Sequence, residues 1–136
     1  MDRDKLIAQL KIHEGVKEFP YVDTVGKVTI GIGRNLTDKG ITQDTIEAML
    51  DEDIDEVIEE LGRIYPEFCD LTEGRQLVLA NVLFNIGAPT YLKFVKFWAA
   101  LRASDWDTAA DEMLDSKWAD QVGDRAVELA ELMRGG

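Results

Sequence analysis

HEGVKEFPYVDTVGKVTIGIGRNLT, residues 13–37, decides how this chain is read. From Tyr21 to Ile32 the pattern has period two: Val28, Ile30 and Ile32 share one face, Thr29, Gly31 and Gly33 the other, and DTVG (23–26) supplies the turn. A short antiparallel sheet is predicted. Just upstream, Leu6, Ile7, Leu10 and Ile12 recur at helical spacing over residues 3–13, and Gly15 follows as a C-terminal stop. Glu14 therefore ends a helix, Asp23 occupies a hairpin turn and Thr29 lies on the returning strand, so three residues distant in sequence can converge on one mouth.

Outward from this stretch the chain reads as helices. TQDTIEAMLDEDIDEVIEELG (42–62) sets Ile46, Ile54 and Leu61 on one stripe with acids elsewhere, and Gly62 is expected to end it. Further helices are predicted over 72–86, with Gly87 as stop, roughly 90–103, after Ser104, near Ser116 and over 123–134, because serine or threonine precedes apolar runs and glycine follows some of them. No repeat, low-complexity tract or linker interrupts the pattern. The predicted class is α+β: a small sheet-bearing lobe, one long connecting helix and a helical lobe.

With 136 residues and 46 % hydrophobic composition, one domain of ordinary size is expected. The N-terminal MDRDKLIAQLKIHEG alternates charged and apolar residues, reads as an amphipathic helix and has no signal-peptide core. No run approaches the roughly 20 apolar residues of a membrane span. Cys69, the only cysteine, can form no internal disulfide and is expected to be an inert packing residue. The net charge of −12 argues against a nucleic-acid partner, because neutralising phosphates requires clustered Lys and Arg. The acidity is local: residues 41–75 hold twelve acids and two basic residues, whereas residues 1–40 hold six and seven.

Two carboxylates facing a cleft are what glycoside hydrolysis requires, one protonated to serve the leaving oxygen and one ionised to handle water or developing positive charge. Helix-terminal carbonyls beside Glu14 disfavour its anion, while Asp23 in a polar turn is expected to ionise normally. The same residues have a plainer reading, since Asp in a turn commonly bonds backbone N–H groups and a helix-end glutamate is commonly surface. The GIG of 31–33 lacks the third glycine and following helix of a dinucleotide loop, and its glycines fit a close approach of substrate or backbone better. His13 is the only histidine, which excludes a multi-histidine metal site and any Ser-His-Asp arrangement beyond chance. By residue pattern alone both readings stand.

The spacing E-x8-D-x5-T in this segment closely resembles the active-site segment of phage-type lysozymes, the endolysins of glycoside hydrolase family 24. RQLVLANVLFNIG (75–87), FWAALRASDWDTAADEMLDSKW (97–118) and QVGDRA (121–126) resemble the helical lobe of the same family in the same order. The resemblance implies a single lysozyme-like domain over 1–136, with a small lobe at about 13–60 and a helical lobe at about 1–12 and 61–136. It implies an inverting muramidase of peptidoglycan in which Glu14 is the general acid, Asp23 the second carboxylate and Thr29 the holder of water. Arg125 matches the family arginine that reaches toward the glutamate; Asn81, Phe84 and Asn85 match cleft-facing or cleft-supporting positions, and Tyr21 and Leu36 are further cleft candidates. It implies peptidoglycan glycan strands as the partner, no cofactor or metal, a monomer, and synthesis in a host cytoplasm with release through a holin. A lytic transglycosylase or an inactive wall-binding module is the alternative. Two departures from the T-even branch stand out. The segment between hairpin and long helix is much shorter, so a loop and small helix are expected to be missing. Arg34 follows GIG where that branch has histidine, and by register it is expected to face Asp53.

Overall fold

The computed structural model describes residues 1–136. By contacts the chain forms two compact units, Met1–Met49 and Leu50–Gly136. The first opens with helix α1 (Arg3–Glu14), whose start is set by Asp2: its side chain accepts the Lys5 N–H, the usual way a short polar residue satisfies an orphan donor. Gly15 ends it with φ +76, and its N–H still closes onto the Lys11 carbonyl. Strands β1 (Lys17–Val22), β2 (Val28–Gly31) and β3 (Arg34–Asn35) then form one antiparallel sheet in the order β1-β2-β3. Tyr21 pairs with Thr29 and Val22 with Val28, but the register slips between Lys17 and Tyr21. That interval contains Pro20, which has no N–H to give a ladder and is tolerated on an edge strand such as β1.

The predicted alternation stops earlier than the sequence pattern suggests. Gly31 has φ +68 and Gly33 φ +65, so β2 ends at Gly31 and Ile32–Gly33 form a tight turn into β3. Within this unit the one buried residue is Thr29, so the polar face of β2 and not its apolar face is the shielded one. The segment after the sheet is not bare: a one-turn helix α2 (Leu36–Lys39) forms, with the Asn35 side chain accepting the Asp38 N–H at its start.

Helix α3 (Gln43–Ile64) runs through Gly62, contrary to the predicted stop. Gly62 keeps helical geometry because nothing demands a left-handed turn there. The terminator is Pro66, which restricts the preceding Tyr65 to φ −135, ψ 87 and opens a 3-10 helix over Pro66–Asp70. The second unit continues with α4 (Glu73–Ile86), α5 (Ala88–Tyr91), α6 (Val95–Arg102), α7 (Trp106–Leu114), α8 (Lys117–Val122) and α9 (Asp124–Gly135). Thr72 and Ser116 cap α4 and α8 as predicted, but α7 is capped by Asp105, since Ser104 adopts φ +54 and lies outside the helix. The predicted 90–103 helix is broken into α5 and α6. The core lies wholly in this second unit and is built around Leu79, Tyr91, Phe97, Trp98, Leu101 and Met133. Tyr91 stacks on Phe97 at 5.4 Å, and Trp98 meets Phe97 edge-on at 5.2 Å while donating its indole N–H to the Tyr91 carbonyl. Cys69 is exposed in the 3-10 helix, where Phe68 and Leu71 turn toward the core in its place. The packing role expected of it is therefore wrong.

Candidate active site

Glu14 is the last residue of α1, and its side chain lies against the β2–β3 turn. A Cβ at Gly33 would come within 2.6 Å of Glu14 Oε2 and 2.9 Å of its Cδ, so the turn can hold this carboxyl only because residue 33 has no side chain. One link of the proposed constellation is thus a helix end seated on a glycine of the neighbouring sheet.

Asp23 and Thr29 are joined through the backbone of one residue, Lys27. The Lys27 N–H donates to Asp23 Oδ1 at 2.8 Å, and the Val25 N–H donates to the same oxygen at 3.0 Å. The Lys27 carbonyl accepts both the Asp23 N–H at 2.9 Å and the Thr29 hydroxyl at 3.1 Å. Aspartate favours this arrangement because its short side chain reaches the N–H groups of the turn it starts. Two chemical consequences follow. Asp23 Oδ1 is occupied while Oδ2 has no protein partner. The Thr29 proton is committed to a carbonyl, so the oxygen can offer only its lone pairs, and a water beside it must donate a hydrogen to Thr29 and turn its own lone pair elsewhere.

The remaining first-unit candidates fall around this pair. Tyr21 is the cross-strand neighbour of Thr29 on β1, Asn35 is its neighbour on β3, and Leu36 opens α2. Arg34 has its hydrogen-bond partner within the first unit. Its Nε and Nη2 both donate to the Gly40 carbonyl, at 3.1 and 3.0 Å. The guanidinium fork fits an otherwise free carbonyl where α2 ends, and that local partner takes it.

In the second unit, Asn81, Phe84 and Asn85 share α4. Asn81 Oδ1 accepts from Arg125 Nε at 3.0 Å and Nη2 at 2.6 Å, so the arginine is oriented by an amide on the facing helix. Asn85 Oδ1 accepts the Trp118 indole N–H at 2.8 Å, which makes it a support of α8. Phe84 is about half exposed and lines, with Leu50, Ile54, Leu77 and Arg125, an open groove of about 470 Å³ between α3 and α4. No three His, Cys, Asp or Glu side chains are grouped as metal ligands would be, and no helix is long and apolar enough to cross a membrane. Sequence reasoning missed Lys27 and Asp38, and anticipated at Gly33 a close approach without naming Glu14 as the group that makes it. Neither Lys27 nor Asp38 carries a signal in the sequence pattern.

Fold and site together define a class: a mostly helical α+β protein with a small N-terminal antiparallel sheet, of lysozyme type. The phage lysozyme family profile matches residues 11–134, and the chain belongs to that family. Over 93 % of its length it is 27 % identical to "Probable T4-type lysozyme 2" of Dictyostelium discoideum, covering 92 % of that protein, and 25 % identical to "Probable T4-type lysozyme 1" of the same organism, again covering 92 %. It is also 25 % identical to the "Pre-baseplate central spike protein Gp5" of Enterobacteria phage T4, of which it spans 27 %. In general terms this is a lysozyme-like glycosidase.

Proposed function

We propose that this chain hydrolyses the β-1,4 bond between N-acetylmuramic acid and N-acetylglucosamine in peptidoglycan, with inversion at the anomeric carbon. Glu14 gives its proton to the leaving glycosidic oxygen as the C1–O bond breaks. A water held by Thr29 forms the new C1–O bond from the opposite side and passes a proton to Asp23 Oδ2. The observation that carries this reading is the Lys27 backbone bridge, which leaves Asp23 one free oxygen and Thr29 only lone pairs. A threonine hydroxyl without a base is a poor nucleophile, but one whose proton is committed elsewhere is well suited to orient water. The family match and the T4-type names of the relatives point the same way. Release onto the wall through a holin belongs to the same proposal.

Proton NMR of muropeptides in the first minutes of digestion tests it: inversion gives α reducing ends, and Glu14→Gln abolishes their appearance while leaving the circular dichroism spectrum intact. Initial β product would overturn the water step. Anhydromuramic ends would make the enzyme a transglycosylase.

A further inference from the structure

The pair that Asp23 and Thr29 form is braced from outside by a network the hydrolytic step does not itself use. Lys27 Nζ donates to Asp38 Oδ1 at 3.1 Å across eleven residues, and the other oxygen of Asp38 accepts the Asn35 amide at 2.9 Å. Asn35 in turn holds the Asp38 N–H through its own Oδ1 and pairs with Thr29 in the sheet. Beside Lys27, the Val28 N–H donates to Thr37 Oγ1 at 2.8 Å. Two adjacent residues are therefore fastened to α2, one through its side chain and one through its backbone, and the first of them carries on its backbone every protein contact made by the Thr29 hydroxyl and one of the two made by Asp23 Oδ1.

We infer that Lys27, clamped by Asp38, is a positioning residue for the attacking water. The inference rests on the inverting, water-using reading above. The turn of Asp23–Gly26 is exposed at Thr24, Val25 and Gly26 and is held to the sheet mainly at its two ends. If the Lys27 peptide rocks, Asp23 Oδ1 loses one of its two donors and the Thr29 proton is freed from its carbonyl. Thr29 could then donate to water as well as accept, and the water would no longer have a single orientation. Each ion pair at the surface is weak, because both ends are solvated and flexible, but this one closes a network in which Asp38 uses both oxygens on fixed partners. Its effect falls on geometry at the reacting centre, where small displacements are amplified.

The experiment compares Lys27→Met, which keeps the stem and loses the charge, with Lys27→Arg, Asp38→Asn and the control Arg63→Gln, which breaks a more exposed ion pair on α3. Each variant is assayed on soluble peptidoglycan strands with and without a chito-oligosaccharide acceptor, whose hydroxyl can take the water's place in forming the C1–O bond. Lys27→Met and Asp38→Asn lower kcat about two- to fivefold with KM unchanged and raise the share of transfer product, Lys27→Arg restores both, and Arg63→Gln moves neither. A kcat and transfer share unchanged in Lys27→Met, or changed equally in Arg63→Gln, overturns the inference. Amide hydrogen exchange without substrate separates this result from a failure of the hydrolytic reading: the Lys27 N–H exchanges faster in Lys27→Met and Asp38→Asn whatever the enzyme cleaves. Unaltered exchange at Lys27 refutes the clamp on its own, and a wild-type protein that cleaves no glycan while the exchange changes refutes only the reaction.

Discussion

Substituting alanine at Gly33 and, separately, at Gly31 isolates the contact that seats Glu14. The two glycines have nearly the same backbone, φ +65 and +68, so alanine is strained at both by about 1–2 kcal/mol from the clash of Cβ with the neighbouring carbonyl. For a domain of this size that strain lowers Tm by roughly 3–8 °C in either variant. The surroundings differ. At Gly31 a new Cβ meets nothing within 4 Å, whereas at Gly33 it arrives 2.6 Å from Glu14 Oε2, 2.9 Å from Cδ and 3.0 Å from Cγ. An ordinary contact needs well over 3 Å, so the carboxyl must retreat by about 0.5–1 Å, and the flexible end of a glutamate can do so with little further loss of stability. Activity is another matter, since a displacement of about 1 Å in a reacting group can cost on the order of a hundredfold. Gly33→Ala is therefore expected to lose about ten- to a hundredfold in kcat with a Tm close to that of Gly31→Ala, which keeps most of its activity. Thermal melts followed by circular dichroism and initial rates on soluble peptidoglycan strands measure the two separately. Equal activity losses in the two variants would refute the argument, because then the strain they share, and not the seat of Glu14, controls the rate.

Two further outcomes are expected of the helical unit. The Tyr91 hydroxyl is buried without a hydrogen-bond partner, so Tyr91→Phe should stabilise the protein by about 1 kcal/mol, read as a higher urea midpoint. Burial also pushes the Tyr91 phenol well above its ordinary value, and burial with nearby Glu67 raises Tyr65; both stay protonated in the fold while the unfolded chain ionises near pH 10. Their contribution is thus whole below about pH 10 and lost as pH climbs from there toward the folded values, and Tyr91→Phe should remove part of that alkaline loss in melts between pH 9 and 11. Arg75, buried against Trp106 at 4.1 Å, donates to the carbonyls of Met133 and Arg134 near the end of α9. Arg75→Met should cost about 2–4 kcal/mol by leaving those carbonyls unpaired, with activity per folded molecule preserved at low temperature.

Much of this structure is legible in the chain itself. Periodicity places α1 and α3, Thr72 and Ser116 before apolar runs set the starts of α4 and α8, and DTVG sets the hairpin turn, because these features depend on a residue and neighbours within about four positions. The same locality explains the errors. Gly62 looks like a stop, but a glycine ends a helix only where a left-handed turn is imposed, and here Pro66 imposes the ending instead. The strand pattern runs on to Ile32, but the positive φ of Gly31 and Gly33 ends β2 one residue sooner, at Gly31.

Residue types at 14, 23 and 29 come from sequence, as does the family they resemble. Tertiary structure alone decides what each can do. That Thr29 and Asp23 share the Lys27 backbone, that Glu14 rests where residue 33 has no side chain, and that Arg34 turns to the Gly40 carbonyl are matters of which groups come within about 3 Å. A hydrogen bond needs that distance and a narrow angle to be worth anything. Spacing along a chain fixes neither once the partners lie in different elements. Asp38 shows the limit most clearly: in the sequence it is one acid among 27, and only the fold of α2 against β2 makes it the partner of Lys27.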